Sequence, residues 1–322
     1  MNNTLITIVL CSNKINNFKK LIQSLEETVS NQSLIEVIVG CDKGEKVFKE
    51  YCNNHSSGIK IKYHDIYVGD LYNQHNIFSK LLKKCSDDSY YVLALADDMI
   101  FKSKNWDKIL EKYKHYYSDD IFRLRLGWRK NFSYTDYWQC ISMPEDIDVC
   151  TKKWRNLVGD IPCYSIDSYN QSVMYYLQNF DKFNNNFRAA RDIPVNDIEM
   201  KQHFSGSVDD RKILKKMFKC WRISVSYKMQ SKASETAAKI YSEIIRSENQ
   251  LESVFVKNNN KYINGDIVIN YKLSFFKIFI TNIYRSIFYL EYGGGGFNKK
   301  ISNEKFFSLR WLLYVYFNIR TF

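Results

Sequence analysis

The chain reads Tyr90-Tyr-Val-Leu-Ala-Leu-Ala-Asp-Asp98 near the end of its first hundred residues. The first seven residues of this stretch are the kind of short apolar run that forms a strand buried on both faces of a parallel sheet. Two adjacent carboxylates, Asp97 and Asp98, end the run. Because neighbouring carboxylates repel each other unless a cation compensates them, the stretch indicates a buried strand with a charged site at its end.

Three further predicted strands precede this one and are separated from one another by helical periods. The predicted strands in this part of the chain are residues 5–10, 35–39, 59–63 and 90–96. The predicted helices are one with Asn16 or Asn17 as its N-cap, one over residues 47–52 and one over residues 71–85. Strands that alternate with helices in this way predict an α/β fold with right-handed crossovers and a mainly parallel sheet.

The pattern after Asp98 is less regular. It predicts a helix that buries Trp106, a strand over residues 121–126, a helix over residues 167–179 and a mostly helical stretch over residues 208–253. Residues 254–271 resemble a hairpin that turns at residues 258–260 or at Asn264-Gly265. We therefore expect one α/β domain over residues 1–206 and a mostly α-helical, basic extension over residues 207–322.

Polar residues follow the predicted parallel strands at the points where these strands end. Strand one leads into Cys11-Ser-Asn-Lys14, strand two into Gly40-Cys-Asp42 and strand four into Asp97-Asp98. Ligands of open α/β sheets bind beyond the carboxyl ends of the strands, and Mg²⁺ or Mn²⁺ prefers oxygen ligands there. The acidic pair therefore predicts a divalent metal site; the alternative is an acidic cap for the helix that follows.

The order of these residues resembles glycosyltransferase family 2 and related GT-A enzymes over roughly residues 4–206. The matching stretches are Thr7-Ile-Val-Leu-Cys-Ser-Asn-Lys14, Ile35-Glu-Val-Ile-Val-Gly-Cys-Asp42, Leu93-Ala-Leu-Ala-Asp-Asp98, Cys150-Thr-Lys-Lys-Trp-Arg-Asn-Leu-Val-Gly159, Tyr164-Ser-Ile-Asp-Ser-Tyr169 and Ile193-Pro-Val-Asn-Asp-Ile-Glu-Met-Lys-Gln-His203. The resemblance implies a GT-A fold, which is Rossmann-like with a mainly parallel sheet flanked by helices. It also implies transfer of a sugar from a nucleotide-sugar donor.

The resemblance implies a role for nine residues of this chain. They are Asp98 and His203 as ligands of Mn²⁺ or Mg²⁺, Asp167 as the catalytic base, and Ser12, Asn13, Asp42, Asn73, Asn76 and Asp97 as contacts of the nucleotide sugar. The chain departs from the family pattern at Ala96, where a strict D-x-D motif has an acid, and at Ile166, where an acidic pair is usual. Asp98 is therefore the expected direct metal ligand. Asp97 would bond to the ribose of the donor or to a ligand of the metal.

The implied reaction is an inverting transfer to a hydroxyl of a glycan or lipid-linked acceptor. The metal neutralises the leaving diphosphate, and Asp167 takes the proton of the attacking hydroxyl. Simpler interpretations remain open for three of these residues: Asp167 as a helix N-cap, Asp42 as a turn residue and His203 as a surface histidine.

The charge of the chain is concentrated in its last third. Residues 1–203 carry 27 basic and 26 acidic side chains and residues 204–322 carry 20 and 9, so +11 of the net charge of +12 lies in the extension. From residue 273 onward, apolar and aromatic residues recur near helical spacing beside a polar stripe of Lys277, Thr281 and Arg285, which is typical of helices at an anionic membrane surface. The alternative is that these helices pack on the catalytic domain.

The cysteines, the first ten residues and the motifs bear on where the protein is located and on which other functions compete. Eight cysteines form no C-x-x-C pair, and residues 1–10 lack a signal-peptide pattern, so we expect reduced thiols and a cytoplasmic location, at the inner face of a membrane if the extension binds lipid. One competing function is a sugar nucleotidyltransferase, although the loop after strand one lacks the glycines of that class. The other is a non-enzymatic protein that binds nucleic acid or another anionic surface, and no nucleic-acid-binding motif supports it.

Overall fold

The structure, a computed structural model, describes residues 4–41, 44–66, 74–126, 148–161, 166–178, 180, 191–202, 227–252, 255–264, 267–271 and 275–276. The chain divides into two compact units. The first comprises Met1–Lys130, Asp146–Ile161 and Arg191–Ser207, and the second comprises Asn131–Glu145, Pro162–Ala190 and Val208–Phe322. The second unit thus includes residues 162–190 as well as the basic C-terminal part of the chain.

The first unit is an α/β structure. Its strands and helices in the described residues are β1 (Ile6–Cys11), α1 (Ile15–Thr28), β2 (Ile35–Cys41), α2 (Lys46–Asn54), β3 (Lys60–Asp65), α3 (Gln74–Leu82), β4 (Tyr91–Ala94), β5 (Met99–Phe101), α4 (Trp106–Glu111), β6 (Arg123–Leu126), β7 (Asp148–Thr151), α5 (Lys152–Val158), β8 (Asp192–Val195) and β9 (Met200–Gln202). The main sheet has the order β3-β2-β1-β4-β7-β6-β8. Strands β1 to β4 are parallel and β7 is antiparallel to both neighbours, which confirms the predicted fold class.

Alternating side chains of β1 explain why the sheet is covered on both faces. Ile6, Ile8 and Leu10 belong to the larger hydrophobic cluster, together with the buried faces of α1, α2 and α4. Val9 points to the other face and packs with Ile77 and Leu81 of α3. Successive side chains of a strand point to opposite faces, so a continuous apolar run places buried groups against both layers of helices.

Two details of the first unit differ from the prediction. Helix α1 begins at Ile15 with Lys14 as its N-cap residue and no capping side chain, so neither Asn16 nor Asn17 caps it. The acidic pair is followed by strand β5, and α4 begins only at Trp106 after Asn105. The interpretation of Asp97 and Asp98 as a helix cap is therefore wrong.

The second unit combines helices with a small antiparallel sheet. Its described elements are α6 (Ile166–Gln178), α7 (Tyr227–Asn249), β10 (Phe255–Asn258), β11 (Lys261–Asn264) and β12 (Ile267–Asn270). The three strands pair in the order β10-β11-β12, so both candidate turn positions connect strands. The described part of the extension is thus helical over 23 residues and then forms a sheet. Among the residues that the structure describes, no helix is long and apolar enough to span a bilayer.

Candidate functional site

The carboxyl ends of the central parallel strands meet at one edge of the main sheet. The amide of Ser12, just after β1, donates a hydrogen bond of 3.0 Å to the carbonyl oxygen of Gly40 in β2. The amide of Ile66, just after β3, donates one of 2.8 Å to the carbonyl oxygen of Cys41. The polar loops after these strands therefore start side by side, which is where an α/β sheet binds ligands.

Ser12 joins the loop after β1 to the loop after β4. Its hydroxyl donates a hydrogen bond of 2.5 Å to Oδ2 of Asp97, and its oxygen accepts one of 3.1 Å from the amide of Lys14. Ser12 is buried, and the side chain of Asn17 in the first turn of α1 also bonds to the Asp97 carboxylate. Two side chains of the β1–α1 segment, those of Ser12 and Asn17, thus bond to the first carboxylate of the acidic pair.

The electrostatics of this edge favour a bound cation. Burial raises the pKa of Asp97, the hydrogen bond from Ser12 lowers it, the charge of Asp98 raises it, and Lys14 and Asn17 lower it. The net effect is a raised pKa, so the Asp97 anion is under-compensated by its own neighbours. Burial, followed by the charge of Asp97, also raises the pKa of the Cys11 thiol to about 12, so this thiol stays protonated at neutral pH.

Asp98 leads directly into a two-stranded sheet. Met99 pairs with Gln202, Ile100 with Lys201 and Phe101 with Met200, in the antiparallel sense. His203 is the residue that follows Gln202 in the sequence, as Asp98 is the residue that precedes Met99. The pairing therefore fixes the chain segment that ends just before His203 next to the segment that starts just after Asp98.

The donor set at this edge fits a divalent cation that shares its ligands with a substrate. Within the described residues, no three His, Cys, Asp or Glu side chains gather closely enough to form a metal site from protein ligands alone. Asp97 and Asp98 nevertheless provide carboxylate oxygens, the ligands that Mg²⁺ and Mn²⁺ prefer. Since Mg²⁺ is commonly held by one or two carboxylates and completes its shell with phosphate oxygens, a carboxylate of this pair fits as a protein ligand of such a cation.

The structure brings together only some of the residues predicted for the site. Ser12 and Asp97 are in direct contact, Asp98 is adjacent to them, and Asn13 is exposed in the same loop as Ser12. The predicted residues whose side chains lie outside the described part of the chain are Asp42, Asn73, Asn76, Asp167 and His203. Asp42 immediately follows β2 in the sequence, and the backbone of Asn76 lies in α3.

Asp167 belongs to the second unit. It is the second residue of α6, whose described boundaries differ by one residue from the predicted helix. Its position in the first turn of the helix, after Ile166, differs from that of an N-cap residue, which lies outside the helical turns. Its role as a base stays a prediction.

Asn17 and Lys14 were not assigned to the site from the sequence. Both surround Asp97, Asn17 by a hydrogen bond and Lys14 by its charge. The sequence contains one indication of a role for Asn17. It is a polar residue on the face of α1 that the helical period predicts to be buried, beside Phe18 and Leu21. A buried amide in the first turn of a helix needs a polar partner, and Asp97 is that partner.

No protein-family model matches the sequence, and no curated protein matches it. The structure is similar to the mannosyltransferase PcManGT from Pyrobaculum calidifontis, solved in complex with GDP-Man and Mn²⁺, at 11% identity and a TM-score of 0.44; the match covers 75% of this chain and 64% of that one, slightly less than two thirds. It is also similar to TarS 1-349 of S. aureus in complex with UDP-GlcNAc, at 14% identity and a TM-score of 0.44, covering 74% of this chain and 73% of that one.

Proposed function

We propose that the chain is a glycosyltransferase that moves a sugar from a nucleotide-sugar donor to a hydroxyl of a glycan or lipid-linked acceptor with the help of Mn²⁺ or Mg²⁺. The observation that carries this proposal is the acidic pair Asp97–Asp98 at the carboxyl edge of the parallel sheet, with Asp97 bound to Ser12 of the neighbouring loop. Two carboxylates at this edge suit a diphosphate and its cation.

The donor would bind along the loops after β1, β2 and β4. Ser12 and Asn17 fix the Asp97 carboxylate, and an ionised carboxylate has about four acceptor sites, so Asp97 can still accept a hydrogen bond from a ribose hydroxyl. Asn13 and Asp42 would contact the nucleotide from the adjoining loops. Asn73 and Asn76 would line the donor pocket from the start of α3.

Asp98 and His203 would hold the cation, which supplies Lewis-acid neutralisation of the charge on the leaving diphosphate. The pairing of Met99 with Gln202 supports this assignment, because it fixes the backbone next to both residues. Asp98 contributes a carboxylate oxygen and His203 a ring nitrogen, so loss of either should weaken metal-dependent donor binding more than protein stability.

Asp167 would act as the base. Its carboxylate accepts the proton of the acceptor hydroxyl as the oxygen attacks the anomeric carbon, and the bond from that carbon to the diphosphate breaks with its electron pair. Attack from the face opposite the leaving group inverts the anomeric configuration. Replacing Asp167 by Asn should abolish transfer while donor binding remains, and turnover by the Asn variant at the wild-type rate would contradict this role.

Incubation of the purified chain with UDP-, GDP-, CDP- and TDP-sugars, Mn²⁺ and a mixed glycan acceptor pool tests the proposed function. A glycosyltransferase releases nucleoside diphosphate and glycosylates the acceptor. Release of pyrophosphate would identify a sugar nucleotidyltransferase instead. Absence of any product, together with salt-sensitive binding of an oligonucleotide, would favour the non-enzymatic alternative.

The basic extension would bring the enzyme to an anionic membrane surface, at the inner face of a membrane. Residues 204–322 hold +11 of the net charge, and the side chains of Phe275 and Phe276 are 49% and 69% exposed. Exposed aromatic side chains within a cationic region suit the interface of anionic lipids. Co-sedimentation with anionic vesicles, and none with neutral vesicles, is the expected result; equal recovery with both would contradict the membrane proposal.

A further inference from the structure

Lys14 lies in the same turn of the chain as the two side chains that bond to Asp97. Its amide donates a hydrogen bond of 3.1 Å to Oγ of Ser12, and its carbonyl oxygen accepts one of 3.0 Å from the amide of Asn17. The side chains of Ser12 and Asn17 in turn bond to the Asp97 carboxylate. The backbone of Lys14 is therefore held beside the acidic pair.

The side chain of Lys14 is exposed, and its charge reaches the Asp97 carboxylate. Burial raises the pKa of Asp97, and the charge of Lys14 is among the influences that lower it. Lys14 takes part in none of the ion pairs among the described residues, whereas Lys62 pairs with Glu36. The ammonium group of Lys14 can therefore pair with an anion that binds at this edge of the sheet.

The charges at this edge call for such a cation once a donor binds. One divalent cation balances the carboxylates of Asp97 and Asp98, and the diphosphate of a nucleotide sugar then adds further negative charge. Lys14 is the described side chain whose positive charge acts on Asp97. Lysine binds phosphate groups readily, as a compact charge with three hydrogen-bond donors.

We propose that Lys14 binds the diphosphate of the nucleotide-sugar donor, an inference that rests on the proposed function. Its ammonium group donates a charge-assisted hydrogen bond to a diphosphate oxygen. The negative charge on the diphosphate grows as its bond to the sugar breaks, so the same contact stabilises the leaving group. Lys14 is thus a binding residue of the donor site in addition to Ser12 and Asp97.

Removal of the Lys14 charge has opposite consequences for a role on the carboxylates and a role on the diphosphate. If Lys14 acts on the carboxylates alone, its loss strengthens their attraction for a cation, so metal-dependent nucleotide binding stays the same or tightens. If Lys14 bonds to the diphosphate, its loss removes a hydrogen bond between charged groups, so nucleotide binding weakens. The sign of the change in affinity therefore distinguishes the two roles.

Isothermal titration calorimetry with UDP, GDP, CDP and TDP in the presence of Mn²⁺ provides the test. For the nucleoside diphosphate that the wild type binds, Lys14→Met should weaken the affinity about tenfold, as expected for loss of a hydrogen bond between charged groups. Lys14→Arg keeps the charge and should bind within about threefold of the wild type. Lys20→Met is the matched control, because Lys20 is exposed on the same helix about 9 Å further along its axis, and its affinity should stay within about twofold.

The possible results separate this inference from the proposed function. An affinity of Lys14→Met that equals or exceeds that of Lys20→Met would overturn the diphosphate contact while the glycosyltransferase assignment stands. A wild-type protein that binds none of the four nucleoside diphosphates with Mn²⁺ would overturn the proposed function and this inference with it. Both Met variants should melt at the wild-type temperature, because substitutions of exposed side chains change stability little. Should Lys14→Met unfold, Lys14→Gln is judged by the same affinities.

Discussion

Glu36 of β2 is a fully buried carboxylate, and its replacement by glutamine tests the energetics of the sheet directly. Its oxygens accept hydrogen bonds from Thr7 at 2.7 Å and from the hydroxyl of Ser86 at 2.6 Å, and Nζ of Lys62 lies 2.5 Å away. Burial by itself would raise the pKa of Glu36, but the bonds from Lys62, Ser86 and Thr7 outweigh it and lower the pKa to about 2 from its ordinary value of 4.5.

The size of this shift gives the expected effect on stability. One pKa unit corresponds to about 1.4 kcal/mol, so the lowered pKa of Glu36 contributes about 3 kcal/mol to the free energy of unfolding. A group whose pKa is lower in the folded state contributes fully at a pH above its unfolded value. The contribution of Glu36 is therefore complete above about pH 4.5 and is lost as the pH falls toward 2.

Urea unfolding of the wild type and of Glu36→Gln, followed by circular dichroism between pH 7 and pH 3, measures this contribution. At pH 7 the variant should be less stable by about 3 kcal/mol, and its stability should fall less steeply toward acid than that of the wild type. Glu50→Gln is the matched control, because Glu50 is exposed on α2. Equal stability of Glu36→Gln and Glu50→Gln at pH 7 would show that the buried Glu36 carboxylate does not stabilise the sheet.

Two further substitutions have effects that follow from single contacts. The buried carboxylate of Asp107 accepts hydrogen bonds from the amide and hydroxyl of Ser30 at 2.9 and 2.5 Å. Asp107→Ala should therefore lower the free energy of unfolding by about 2–3 kcal/mol in urea titrations. A loss below about 0.5 kcal/mol would contradict this anchoring role. Ser12→Ala removes the hydrogen bond to Asp97 and should weaken nucleotide-sugar binding about tenfold in calorimetry, and unchanged affinity would exclude Ser12 from the donor site.

The sequence predicts the first half of the sheet well because β1, β2 and β4 are short apolar runs and the helices between the strands have a clear period. Strand β5 and its pairing with β9 were missed, since three residues are too few to show a period and the pairing joins residues about a hundred positions apart. The bond from Asn17 to Asp97 was missed for a related reason. A contact across 80 residues depends on how two strands sit side by side, which local patterns do not encode.

The residues of the candidate site that follow the ends of strands could be predicted from the sequence. Ser12 and Asp97 lie together because β1 and β4 are parallel neighbours, which follows from the order of strands and helices. The buried side-chain amides of Gln171 and Gln178, which have no hydrogen-bond partner among the described residues, were not predictable, because burial of a polar residue on a helix depends on what packs against it.

Metal-dependent binding of a nucleotide sugar at Asp98 is tested by the shift in melting temperature that the donor causes in the wild type and in Asp98→Asn. A donor present at a hundred times its Kd stabilises the folded state by about 2.7 kcal/mol, so the shift is readily measured. We expect a shift in the wild type that requires Mn²⁺ or Mg²⁺, the same shift in the exposed control Asp88→Asn, and loss of the metal-dependent part in Asp98→Asn. Equal shifts in Asp98→Asn and the wild type, or no shift with any nucleotide sugar and metal, would contradict this expectation.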